Sequence, residues 1–576
     1  MQPRLVRERW ASLVPAALVA ASFATGAALS WRRLGSLVTD TGRELELPRR
    51  LLDGDVLYRD VRYFWGPLAP LVNAALYRVF GVSVDTLMWT GLAVAAAMTA
   101  CLFLLARPYL GRWAAAAIAI AFVFASAFPN VEAVGVFNFV LPFNCSATYG
   151  ITAAAWSLLL LDRHLRSGRL ATLAASVSLA VLASFSKSEV ILPVALVHLA
   201  FVVAVRPLGR ARWLVYGAGA GVVAGGYAAL YAIVGPELWY ENLALLANPK
   251  STYYIRLTMG LDGLGASLLD VAAAALVLGG AVALAIAASR ALARGSEWRG
   301  IRKGAPLAVG AVTLAVFARA RPELSMRALP VVLGAGVVVA IRRALRARSR
   351  PSPEALGAIL VLLFGLACLP RIALRVGPTG YGFYLLPVAL VGLGLVVQGL
   401  ARAAGDTPMA RDVLGGAFAG MVLGLGVASL LASWPLYREP RIPVDTPRGR
   451  MLLRDTWNSE ASVLQALMRL PPSTRVMALP DGAGLVFASG VADSGDPILT
   501  YAPMALPDAA AEGRTLAAWD RDPPDVVVWQ NRDTRELFGF RGFGVDYATH
   551  LREWLESRYV PLNSPSDPFV LLRRAR

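Results

Sequence analysis

Long apolar runs separated by short arginine-rich stretches dominate the chain. A membrane span needs about 20 apolar residues, and the run at 11–30 supplies them directly after the basic opening MQPRLVRERW. A cleaved signal peptide is the alternative reading of that opening, but the run is long for one, and the rest of the chain continues in the same pattern. Further runs fall near 84–106, 113–128, 147–161, 170–186, 190–205, 213–235, 264–289, 304–318, 327–341, 355–373, 380–401 and 413–433. The pattern therefore predicts a polytopic α-helical membrane protein with about 13 transmembrane helices. With Arg4, Arg7 and Arg9 placed inside, the clusters DRHLRSGR, RPLGRAR, EWRGIRK and RRALRARSR all fall on the cytoplasmic side. The loop at 31–83 and everything beyond 433 are then expected on the opposite face.

Two glycine patterns sit inside these runs. GAGAGVVAGG at 217–226 has no preceding strand and no GK[ST] ending, so it reads as a helix-packing surface rather than a phosphate loop. The four-residue spacing of Gly416, Gly420 and Gly424 puts small residues on one helix face, which lets a neighbouring helix come close.

From about 434 the texture changes. DTWNSEASVLQALMRL puts Trp457, Ala461, Leu464, Leu467 and Met468 on one helical face; RVMAL, DVVVW and FVLLR read as strands, and YATHLREWLESRY as a helix. The expected division is a transmembrane module at 1–433 and a small C-terminal α/β soluble domain at 434–576 on the extracytoplasmic side.

Composition narrows the function classes. Hydrophobic residues make up 57% of the chain and charged residues 16%, and the mean hydropathy is +0.56. The formal charge of +18 does not point to nucleic acid, because the tail is near neutral and the excess lies between apolar runs. Nearly all of it is Arg, as Lys occurs only at Lys187, Lys250 and Lys303. Cys101, Cys145 and Cys368 lack metal or redox spacing and read as packing residues. His164, His198 and His550 are scattered.

The densest polar stretch is DTGRELELPRRLLDGDVLYRDVRYFWGPLAP at 40–70, directly after the first run. A membrane anchor alone needs no such loop. Asp40 offers a carboxylate able to act as a general base, with Glu44 one helical turn later; an interfacial ion pair with Arg43 is the structural alternative. Lys187 in SFSKSEV interrupts two apolar runs near the expected outer face, where it would bind phosphate or pair with Glu189. Glu132 in the second outer loop offers another carboxylate. Arg321, Arg327, Arg371 and Arg375 offer guanidinium groups suited to phosphate. Tyr381 and Tyr384 are expected either in the same cavity or as interfacial aromatics. The DxD triplets at Asp53/Asp55 and Asp520/Asp522 lack a nucleotide-binding context.

The loop resembles the first extracytoplasmic loop of GT-C glycosyltransferases, in particular bacterial family-39-like enzymes related to protein O-mannosyltransferases and the aminoarabinose transferase of lipid A. The pattern runs from an acid through GREL, RLLDG and LYRDV to GPL, and it brings Tyr58, Arg59 and Asp60 into the set of candidate substrate-binding residues. FGVDYATHLREWLESRYVPL near the end is similar to the tail of the same group. The resemblance implies a GT-C fold, Asp40 as the catalytic base or its orienting partner, and a sugar donor carried on polyprenyl phosphate. One departure stands out: Asp40 is followed by Thr41, where many relatives have an adjacent Glu.

The expected function is a hexosyl- or pentosyltransferase of the bacterial inner membrane. It would move sugar from a lipid-phosphate donor to a cell-envelope glycan, lipid or protein on the outer face. The pattern leaves a divalent cation open. The competing class is a polytopic transporter or lipid flippase, which would show broken helices at midmembrane and internal repeats. The tail is expected to recognise the acceptor or cover the cavity, without chemistry of its own; a purely stabilising role is the alternative.

Overall fold

The computed structural model describes residues 3–33, 35–130, 137–238, 263–294, 299–320, 326–346, 351–370, 382–403, 405–454, 458–495, 509–531, 533 and 541–575. Its first part is helical: α1 (Pro3–Ser30), α2 (Asp40–Leu52), α3 (Leu68–Phe80), α4 (Val84–Phe122) with a π-helical turn at Val123–Ala127, α5 (Cys145–Ser167), α6 (Leu170–Ser184), α7 (Ser188–Ala204) and α8 (Arg210–Val234). It continues as α9 (Leu264–Arg294), α10 (Arg299–Arg319), α11 (Leu329–Arg346), α12 (Pro353–Ala367), α13 (Leu386–Ala403) and α14 (Pro408–Arg438). Each apolar run predicted above coincides with one of these helices. The runs at 84–106 and 113–128 share α4, which breaks at Gly111, where φ is +79°.

Among the described residues, six helices are long and apolar enough to cross a membrane, and five shorter ones are also apolar. The chain is a helical, multi-pass membrane protein. Lipid is the natural solvent for the outward Leu, Val and Trp side chains, among them Leu269, Leu276, Leu284 and Leu307.

Small residues set the tightest helix contact, between α10 and α14. A Cβ on Gly416 would lie 2.2 Å from the Pro306 carbonyl oxygen, and one on Gly420 would lie 2.1 Å from that of Gly310. The glycine-rich α8 behaves differently from the sequence expectation. Gly219 and Gly226 pack against Val177 and Phe185, while Gly217, Gly221 and Gly225 meet no other described residue. Composition gives the number of small residues but not how many of them meet a partner.

The tail begins with the hairpin β1 (Arg441–Thr446) and β2 (Gly449–Arg454). There follow α15 (Asn458–Met468), β3 (Arg475–Leu479), α16 (Ala483–Ser489), β4 (Ala492–Asp493), α17 (Ala509–Arg521), β5 (Val526–Gln530), α18 (Thr549–Arg558), β6 (Tyr559–Pro561) and β7 (Phe569–Arg574). Among the described residues, one sheet has the order β4-β3-β5-β7-β6. Its strands β4, β3 and β5 are parallel, and β7 and β6 join antiparallel. Val476, Met477, Val527 and Val528 are buried, as unbroken apolar strands covered on both faces should be. Ala461, Leu464 and Leu467 form the buried face of α15; Trp457 lies outside the described residues.

Candidate functional site

The polar loop folds as α2, and eight consecutive residues, Thr41 through Pro48, are buried. A helix this polar is covered on every side only if its charged groups find partners. Asp40 opens it after an extended Thr39, so its carboxylate sits at the positive end of the helix. Its side chain keeps 21% exposure, against 4% for Arg43.

Arg43 Nη1 donates to Asp40 Oδ1 at 2.9 Å, and Nη2 donates to the Phe143 carbonyl at 3.1 Å. The guanidinium lies 4.9 Å from the centroid of the Trp65 ring, a cation–π distance. Burial alone would lower the Arg43 pKa, but Asp40 and Glu44 outweigh it and the net shift is upward. Arg43 is a fixed cation.

Glu44 accepts from the Cys145 backbone N–H at 3.1 Å, at the start of α5. Burial pushes its carboxyl up to about 7, against the opposing pull of Arg43 and the Cys145 N–H. This part of the loop is under-satisfied: Arg43 Nε, Glu44 Oε1, Thr41 Oγ1 and Asn144 Nδ2 have no hydrogen-bond partner among the described residues.

The GPL turn docks on the break between α6 and α7. Gly66 N–H donates to the Ser186 carbonyl at 2.8 Å, and Leu68 N–H to the Phe185 carbonyl at 2.9 Å. A Cβ on Gly66 would lie 2.4 Å from either carbonyl oxygen, so only glycine allows this approach. The result is that Lys187, just before α7, comes beside Trp65. Its Nζ lies 6.0 Å from the Trp65 ring centroid and 5.7 Å from that of Phe143. Arg43 and Lys187 thus meet around the same two residues. Lys187 donates to Tyr384 Oη at 3.2 Å and pairs with Glu189 at 3.3 Å, while Tyr384 Oη donates to Glu189.

The other sequence candidates fall elsewhere. Tyr58 is buried, and its hydroxyl holds the Trp65 carbonyl at 2.6 Å. Arg59 and Asp60 pair with each other at 2.8 Å on the exposed part of the loop. Arg327 pairs with Asp270 on α9. Glu132, Arg321, Arg371, Arg375 and Tyr381 lie outside the described residues. Trp65 and Phe143 had not been singled out, although the aromatic run YFW directly before GPL was a visible signal. Among the described residues, no group of three or more His, Cys, Asp or Glu side chains is arranged to hold a metal ion. The three cysteines are free and buried.

No protein-family model and no curated protein sequence matches the chain. Among solved structures it is similar to ArnT from Cupriavidus metallidurans in the apo state, at 15% identity and TM-score 0.42, covering 98% of each chain. The same protein bound to undecaprenyl phosphate matches at 14% identity and TM-score 0.43, over 97% of each chain. An oligosaccharyltransferase from Archaeoglobus fulgidus matches at 13% identity and TM-score 0.48, covering 96% of this chain and 73% of that one. These likenesses are loose in geometry, and the functional reading below rests on the residues of the site.

Proposed function

We propose that the chain is a GT-C-type membrane glycosyltransferase that moves a sugar from a polyprenyl-phosphate donor to a hydroxyl-bearing acceptor. The site would face the periplasm or exterior from a bacterial inner membrane. The observation that carries this reading is the convergence of one partly exposed carboxylate, Asp40, with two buried cations, Arg43 and Lys187, around Trp65 and Phe143.

The chemistry needs those parts. Asp40 takes the proton from the acceptor hydroxyl as its oxygen bonds to the sugar's anomeric carbon. The bond from that carbon to the phosphate oxygen breaks, and the polyprenyl phosphate leaves carrying the extra negative charge. Lys187 and Arg43 stabilise that charge in a setting where buried cations act strongly. The phosphate competes with Glu189 and Tyr384 for Lys187 and with Asp40 for Arg43, so donor binding frees the carboxylate for its role as base. Trp65 offers an aromatic face beside both cations.

The test incubates purified protein with a panel of radiolabelled polyprenyl-phosphate sugars and membrane extract. Transfer of label from one donor to an extractable acceptor is expected, and no transfer or hydrolysis with any donor would overturn the reading. Orientation is tested separately with cysteines introduced at Asp53 and Glu553, which should react with an impermeant reagent in intact cells. A cysteine at Ser167 should react only after permeabilisation.

A further inference from the structure

The tail does not sit apart from the site. Gly42, two residues after Asp40, lies directly against Gly484 of α16. A Cβ on Gly42 would lie 2.4 Å from the Gly484 nitrogen and 2.7 Å from the Leu37 carbonyl oxygen. A Cβ on Gly484 would lie 2.5 Å from that same oxygen and 2.8 Å from the Gly42 Cα. The obstructing atoms are backbone, which cannot rotate away as a side-chain end can.

Other contacts hold this one in place. Phe487 stacks on Tyr77 with 6.2 Å between ring centroids, and the Tyr77 hydroxyl donates to the Leu45 carbonyl of α2 at 3.1 Å. Arg448 lies 4.9 Å from the Phe487 ring centroid, and its carbonyl accepts from Val84 N–H at 2.9 Å at the start of α4. Arg50 of α2 donates to the Gly495 carbonyl. Residues 484–489 of α16 are all buried. Asp481, in the turn that leads to α16, also adds to the field that raises Arg43.

We propose that α16 positions the catalytic helix, with Gly484 as the positioning residue that sets where Asp40 stands relative to Lys187, while Arg43 is held separately by the Phe143 carbonyl and the Trp65 ring. This rests on the glycosyltransferase reading. It makes the tail part of the catalytic unit, a role additional to the acceptor-recognising, covering or stabilising one expected from the sequence. A displacement of about 1 Å at a reacting group is enough to cost a large factor in rate without loss of binding.

The test measures transfer by the full chain in four forms: wild type, Gly484→Ala, Asp40→Asn, and the two combined. Gly484→Ala should lower kcat by about ten- to a hundredfold with donor KM within about twofold. In the Asp40→Asn background the same change should have almost no further effect, because the group it displaces has lost its function. A near-normal kcat for Gly484→Ala, or an equal loss in both backgrounds, overturns the proposal. Near-normal transfer by Asp40→Asn alone would instead overturn the glycosyltransferase reading. Should Gly484→Ala fail to fold, Phe487→Leu loosens the same helix more gently, and the same outcomes decide.

Discussion

The two ends of α5 carry polar clusters built from the same kinds of side chain and left in opposite states. At its C-terminal turn, Asp162 has both oxygens engaged. The Tyr109 hydroxyl and Arg166 Nη2 donate to Oδ1, the latter at 3.4 Å, and Arg166 Nε donates to Oδ2 at 3.1 Å. The Arg166 guanidinium lies 4.9 Å from the Tyr109 ring centroid, and Gly357 of α12 closes over the group. At the N-terminal end, roughly 25 Å away by helix rise, Thr41 Oγ1, Arg43 Nε, Glu44 Oε1 and Asn144 Nδ2 are buried without a hydrogen-bond partner among the described residues. A fully satisfied buried network rigidifies a fold, while an unsatisfied one costs stability unless something else completes it. The first cluster is a lock between helices, and the second is the candidate site of the proposed transfer.

The strongest way to break that contrast is to neutralise one aspartate in each cluster. Asp40→Asn should lower turnover by about two to four orders of magnitude and cost less stability than Asp162→Asn, because Asp40 is partly exposed and Arg43 keeps the Phe143 carbonyl and the Trp65 ring. Asp162→Asn should do the reverse. It leaves Arg166 short of a partner and weakens a hydrogen bond to a charged group, for about 1–3 kcal/mol of stability, while the folded fraction keeps its turnover. Purified variants assayed for transfer and for unfolding in the same detergent give both readouts. If Asp40→Asn unfolds early and Asp162→Asn is the inactive one, the assignments are reversed.

How far the sequence foretold this difference depends on the range of each contact. Apolar runs and Arg-rich breaks are local, so the helices were legible, as were the strands read from RVMAL and DVVVW. Asp40 stood out as a candidate because its neighbours in the loop carry the pattern, and Lys187 because a cation between two apolar runs is conspicuous. Trp65 as the platform between Arg43 and Lys187 was not, because it depends on Gly66 docking onto Phe185 and Ser186, about 120 residues away. The contact between Gly42 and Gly484 was hidden more deeply. Glycine at either position reads as an ordinary turn or helix residue, and the constraint arises only where two distant backbones meet. The unequal packing of the α8 glycines has the same cause.

Glu44 sharpens the comparison through pH. Its carboxyl is raised from 4.5 to about 7 by burial, so the fold holds this proton more tightly than the unfolded chain does. Its contribution to stability is therefore complete below about pH 4.5 and is lost as pH rises through about 7, a swing of at most about 3 kcal/mol. Glu44→Gln, which keeps the shape and cannot ionise, should flatten that component. Unfolding temperatures between pH 5 and 7.5 should fall more steeply for wild type than for the variant. Superimposable profiles would mean that Glu44 does not titrate in this window and that the N-terminal cluster is better satisfied than its geometry indicates.

The smallest effect is expected at the edge of the same loop, where Arg59 and Asp60 form a pair with no partner in either cluster. Both are exposed, and water and salt screen such a pair, which also gives up side-chain freedom to form. Asp60 further accepts from the Val56 backbone N–H at 2.8 Å, which fixes the turn without Arg59. Arg59→Ala should therefore leave both turnover and unfolding temperature unchanged within error. This outcome separates the charges of the loop by burial rather than by their closeness in sequence to Asp40. A tenfold loss of transfer with unchanged unfolding would place the substrate path across the exposed part of the loop, and the unsatisfied cluster around Arg43 would then be only one part of a wider site.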